Sequence, residues 1–116
     1  VSFARKELKQ NGVRFIYSLE GESYSSIATS RKLFLKEILS FNDADSDAVL
    51  DPGTVVYLER KKKQAAKGVD KFIVGPQKQT LREIAQRFGV REKSLRKING
   101  FADGFEPDEG DTVLLR

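Results

Sequence analysis

The feature that most constrains this chain is that it is written twice. Residues 13–59 slide onto 70–116 without a gap, and ten of the 47 positions are identical. Phe15-Ile16 falls on Phe72-Ile73, Ile27-Ala28 on Ile84-Ala85, Lys36 on Lys93 and Asn42 on Asn99. Asp51 falls on Asp108, Gly53 on Gly110, Val56 on Val113 and Leu58 on Leu115. A constant register from end to end marks a duplication, so each copy is expected to be a supersecondary unit of its own.

Each copy carries the same succession of periodicities. A short β-rich run, VRFIYS at 13–18 or KFIVG at 71–75, opens the unit. A helix follows: Leu81, Ile84, Ala85 and Phe88 lie at i, i+3, i+4 and i+7, while Tyr24, Ile27 and Ala28 begin the same face and Arg31 takes its fourth place. Thr80 and Glu83 form a capping box, and Ser23 with Ser26 is its weaker counterpart. Gly89 predicts a left-handed helix end, whereas Lys32 stands at that corner in the first copy. A second helix carries Leu35, Ile38, Leu39 and Phe41, or Leu95 and Ile98, and ends at Asn42 or Asn99. Asp-Pro-Gly at 51–53 or Asp-Glu-Gly at 108–110 then leads into a closing strand, 54–58 or 112–116. The predicted fold is α+β: two βααβ units, each a two-stranded antiparallel sheet packed by two helices.

The predicted organisation is a connection over 1–12 to an upstream domain, a first unit over 13–59, a basic linker over 60–69 and a second unit over 70–116. The absence of Met fits a piece excised from a longer protein. Formal charge is +2 over 1–12, −4 over 13–59, +5 over 60–69 and +1 over 70–116. The basic run is local, with no aromatic residues set between its cations. It therefore reads as a solvated linker rather than a nucleic-acid platform, and no nucleic acid is expected as partner. No apolar run approaches the ~20 residues of a membrane span.

Cys and His are both absent, which removes thiolate nucleophiles, Ser-His-Asp triads and Cys/His zinc sites. Asp43, Asp45 and Asp47 alternate like the start of a calcium loop, but Ala48 stands where Gly is needed and Thr54 where Glu is needed. Glu20, Glu22 and Glu37, or Glu83 and Glu92, sit on caps, loops and helix faces of units too small for a glycosidase cleft. Neither a catalytic residue nor a metal ligand nor a cofactor is assigned.

Gly21-Glu22-Ser23-Tyr24, Ile27-Ala28, Ile38 to Asn42, Pro52-Gly53 and Leu58 resemble the pattern of the LysM (lysin motif) domain. Thr80-Leu81, Ile84-Ala85, Leu95 to Asn99, Gly110 and Leu115 repeat it. The tandem with its VYLERKKKQAAKG connector also looks like the C-terminal LysM pair of Bacteroidetes-type cell-wall glucosaminidases. The resemblance implies binding of N-acetylglucosamine-containing glycan, peptidoglycan or a chitin-like polymer, in a shallow groove between two loops, by a protein of the cell envelope. It would line the first groove with Gly21, Glu22, Ser23 and Tyr24 opposite Asp47, Ala48, Val49 and Leu50. The second would hold Lys78, Gln79, Thr80 and Leu81 opposite Gly104, Phe105, Glu106 and Pro107. Lys78 in place of Gly, and Glu109 in place of the family's Pro, mark the second groove as altered, and Phe105 divides between sugar stacking and core packing. The other readings are a degenerate scaffold of the same fold that binds protein, and an enzyme acting within this chain.

Overall fold

The computed structural model describes residues 5–116; the first four positions of the expected connection lie outside them. The elements run β1 (Leu8–Gln10), β2 (Val13–Tyr17), α1 (Tyr24–Ser30), α2 (Leu35–Phe41) and β3 (Val55–Tyr57). Then come β4 (Lys71–Ile73), α3 (Leu81–Phe88), α4 (Glu92–Asn99) and β5 (Thr112–Leu114). They divide into two compact units at Arg60/Lys61. Each holds the predicted strand-helix-helix-strand order around its own core.

In the first unit the sheet has three strands, ordered β1-β2-β3. Leu8–Gln10, expected to be connection, instead forms an antiparallel edge strand on β2, with Leu8 opposite Phe15. One face of the sheet packs Ile16 and Val56 against Tyr24, Ile27, Ala28 and Ile38. The other gathers Val13, Phe15 and Tyr57, with Leu8, Phe41 and Val55 beside them. Burial on both faces explains why β2 does not alternate cleanly.

The second unit has the expected two-stranded sheet, β4-β5. Its core joins Val74, Leu81, Ile84, Ala85, Leu95, Val113 and Leu115. The segment expected as a linker contributes here. Ala65 is buried in this core and donates its N–H to the Leu115 carbonyl at 2.8 Å. Lys62 forms a parallel bridge with Val90, and Lys61 is 1% exposed, with its Nζ 2.6 Å from Gln86 Oε1. A buried ammonium requires such acceptors, so Lys61 is a packing element of this unit rather than a solvated charge.

The strands correct the gapless alignment. Ile16 pairs with Val56, and Phe72 pairs with Val113. Val113 is the counterpart of Val56, so Phe72 replaces Ile16 and not Phe15. Matching bonds close both units: Ser18 N–H to Thr54 O (2.8 Å) in one, Val74 N–H to Asp111 O (2.9 Å) in the other. The first loop of the second unit is thus one residue longer. Side chains alternate across a strand, so a slip of one residue would have turned Val74 out of the core.

Both corners written without glycine keep the left-handed backbone. Lys32 has φ 57° where Gly89 has 68°, and Lys78 has φ 52° where Gly21 has 82°. These lysines lie in the small left-handed helical well that L-residues tolerate at modest cost.

Asn42 and Asn99 do more than end helices. The Asn42 amide donates to Ile38 O (2.8 Å) and Tyr57 O (3.1 Å) while its Oδ1 accepts the Tyr57 N–H (2.7 Å). Asn99 repeats this with Leu95 and Leu114 at 2.8, 2.9 and 2.7 Å. Asn42 is fully buried and Asn99 only partly so. Asn42→Ala leaves buried backbone groups of Tyr57 unmatched and is expected to destabilise the first unit by about 2–4 kcal/mol, against about 1 kcal/mol for Asn99→Ala in the second. Denaturant titration with a probe in each unit checks the order; equal costs would show that burial does not set it.

Candidate functional site

In the first unit, the loop from β2 to α1 and the loop from α2 to β3 meet edge to edge. Ser23 and Val49 form an antiparallel bridge, and the Leu50 N–H donates to the Glu22 carbonyl at 2.8 Å. Asp47 reaches across the same seam, its Oδ1 accepting the Ser25 N–H at 3.2 Å in the first turn of α1. That places a carboxylate on orphan helix donors, where negative charge is favoured. The Ser25 hydroxyl is the largest influence holding the Asp47 carboxyl below its ordinary range; slight desolvation opposes it, and the Ser25, Ala48 and Tyr24 amides reinforce it.

The expected lining residues separate into three groups. Gly21, Ala48 and Val49 stand in solvent, Val49 at 73% exposure, and a Cβ added at Gly21 would meet nothing within 4 Å. Glu22 and Ser23 spend their side chains on the loop itself. Glu22 Oε1 accepts the Leu19 N–H (2.7 Å) and its Oε2 accepts from Arg5 (2.5 Å). Ser23 Oγ caps the Ser26 N–H at 3.1 Å. Partial burial pushes the Glu22 carboxyl up, but Arg5 and the Leu19 amide outweigh it and hold it below its ordinary range. Tyr24 is buried in the core and Leu50 packs against it, so both support the seam from beneath.

The second unit brings its two loops together by other means. Glu106 Oε2 accepts the Leu81 N–H at 2.7 Å, while its Oε1 receives Arg96 at 3.0 Å. Arg96 also donates to the carbonyls of Ala102 (3.0 Å) and Phe105 (2.7 Å). Its Nε bonds Glu92 at 3.2 Å, an i, i+4 pair on α4. One guanidinium therefore clamps the whole 102–106 loop. Gln79 Oε1 accepts the Gly75 N–H at 3.0 Å and Thr80 caps α3. Lys78 projects into solvent, 3.6 Å from Asp108. Leu81 and Pro107 are buried and Gly104 is exposed with φ 83°. Phe105 meets Phe101, which packs on the core, at 4.7 Å between ring centroids, and stays 43% exposed.

Sequence reasoning missed Arg5, Ser25 and Arg96. The i, i+4 spacing of Glu92 and Arg96 was visible as a helix pair, but the reach of Arg96 to a loop six to ten residues on is a tertiary fact.

Residues 20–58 and 77–116 each match the LysM domain family, together more than half the chain. The chain therefore belongs to the LysM family, a class of binding rather than catalytic domains whose members generally bind peptidoglycan and other N-acetylglucosamine-containing glycans. Among solved structures it is similar to the Bacillus cereus spore cortex-lytic enzyme SleL, at 20% identity and a TM-score of 0.38, over 90% of this chain and 22% of that one. This chain thus spans under a quarter of that enzyme's length. No curated protein matches. Among the described residues, no helix is long and apolar enough to cross a membrane.

The lowered carboxyls have a defined consequence. Each stabilises the folded unit fully above the ordinary carboxylate range, and that stability is lost as pH falls from about 4.5 through the depressed folded-state values. The Ser25 amide resonance is expected to titrate with a midpoint below that of an unstructured Asp, and Asp47→Asn to abolish the titration. A midpoint at the unstructured value would show that the tether is not formed in solution.

Proposed function

We propose that this tandem is a non-catalytic glycan-binding module that holds an upstream cell-wall hydrolase, of the glucosaminidase type, against peptidoglycan in the cell envelope. The observation that carries this reading is the seam of the first unit, where two loops pair and leave Gly21, Ala48 and Val49 at the surface. An N-acetylated sugar offers an amide donor, a carbonyl acceptor and a methyl group. Peptide groups on paired loops and an exposed aliphatic side chain match those three needs without a charged residue. A glycine at the loop tip lets ligand and backbone approach closely.

In this reading Gly21, Glu22, Ser23, Asp47, Ala48, Val49 and Leu50 form the working groove, with Tyr24 supporting it. The second groove, around Lys78, Gln79, Thr80, Leu81, Gly104, Phe105, Glu106 and Pro107, is the weaker. Its first loop is longer by one residue, a lysine chain stands at its tip, and Arg96 draws its second loop down onto α4. Two sites of unequal strength still raise retention on a polymer, because the second contact forms at high effective concentration.

The test is an NMR titration of labelled protein with chitin oligomers of increasing length, paired with sedimentation on insoluble peptidoglycan. Saturable shifts are expected at 21–23 and 47–50, with smaller ones at 78–80 and 104–106. Gly21→Val, strained at φ 82°, is expected to weaken binding by about tenfold, or about 1.4 kcal/mol. Absence of both shifts and sedimentation would sink the glycan reading and favour a protein-binding scaffold of the same fold.

A further inference from the structure

We infer that the first unit carries a second binding site, on the outer face of α2, for an acidic peptide bearing an apolar side chain. A pocket of about 520 Å³ opens there, lined by Phe34, Lys36, Glu37, Ser40, Phe41 and Arg60. None of these residues belongs to the paired loops. The volume lies in the range of small-ligand sites.

Phe34 is 79% exposed, the most exposed large apolar side chain among the described residues, and Leu35 beside it is 38% exposed. The fold does not require them. The second unit builds the same helix with Arg91 and Glu92 at these positions, and Arg91 turns its Nε to the Lys61 carbonyl at 2.7 Å. The repeat is thus an internal control: an apolar patch occupies one copy, where the other copy has charge. Phe34 and Phe41 line the same concave site with polar side chains around them, and an exposed apolar patch rimmed by polar groups marks a contact surface.

The charges select the partner. The first unit is close to neutral, with a formal charge of −1 over residues 1–60, and the two cations on this pocket are unspent. Lys36 and Arg60 make no ion pair or side-chain hydrogen bond among the described residues, whereas Glu37 accepts the Phe34 N–H at 3.0 Å. Neutral sugar hydroxyls would leave both cations unmatched, while carboxylates would meet them with charge-assisted hydrogen bonds. From Phe34 to Phe41 the helix runs seven residues, about 10 Å. That is the reach of about three residues of extended peptide. An aromatic or aliphatic residue between two acidic ones would seat its side chain between the rings and a carboxylate at each cation.

The experiment uses the labelled 116-residue chain and an end-blocked pentapeptide of sequence Asp-Glu-Phe-Asp-Glu, with Lys-Lys-Phe-Lys-Lys as comparison. Saturable shifts are expected at residues 34–41 and 60 with the acidic peptide alone, weakening as salt is raised. Phe34→Ser and Arg60→Gln, both at exposed positions, are each expected to lower affinity about five- to tenfold with unfolding midpoints unchanged. Equal response to the basic peptide, or none at millimolar concentration, would overturn the inference. So would shifts at these residues caused by chitin oligomers, which would make the patch a sugar platform. Concentration-dependent self-association abolished by Phe34→Ser would do the same, since the patch would then receive a second copy of this chain. Because the glycan readout lies at 21–23 and 47–50, either site can fail without the other.

Discussion

Each unit is closed by one side-chain amide. The amide nitrogen of Asn42 or Asn99 donates to one carbonyl in the last turns of a helix and to the carbonyl of a closing-strand residue, whose N–H the amide oxygen accepts. Helix ends leave carbonyls unpaired, and an edge strand leaves peptide groups unpaired on its open side. A unit of sixty residues or fewer has little apolar area with which to offset such losses. Asparagine, with donor and acceptor on one rigid plane, removes both deficits at once and fixes the second helix relative to the sheet. The loop between them is then held at both ends, which is what allows it to face the loop before the first helix.

The two loops of each unit are drawn together by a carboxylate that caps the first helix from across the seam, and the copies achieve this differently. Asp47 reaches Ser25 in one; Glu106, two register positions further on, reaches Leu81 in the other and is itself held by Arg96. The shared requirement is negative charge at exposed helix N–H groups. Duplicated units can drift in which residue meets that requirement while the backbone stays the same. The drift leaves the first seam with small exposed residues and the second with a clamped loop and a long cationic side chain at its tip.

Much of the fold was legible because its signals are local. Helix faces at 3.6-residue spacing, capping boxes at Ser23 and Thr80, and glycine or lysine at the corners all act within a few residues, so duplication displays them twice. Strand register was not legible. Ten identities favoured a gapless alignment, yet Phe15-Ile16 matched Phe72-Ile73 by composition alone, and only the pairing of Ile16 with Val56 and of Phe72 with Val113 exposed the added loop residue. The basic run at 60–63 likewise read as solvated linker, because nothing local says that Lys61 finds Gln86 or that Ala65 fills a core beside Leu115.

The sequence by itself determined the repeat, the strand-helix-helix-strand order within it, the caps of the first helices, the closing asparagines and the absence of Cys and His chemistry. Each of these depends on residue type and short-range spacing. Tertiary structure alone decided the register of the opening strands, the third strand at Leu8–Gln10, and which of the expected lining residues face solvent. It also decided that Phe34 stays exposed. Those outcomes follow from how residues distant in the chain share a limited interior, a competition that no local pattern records.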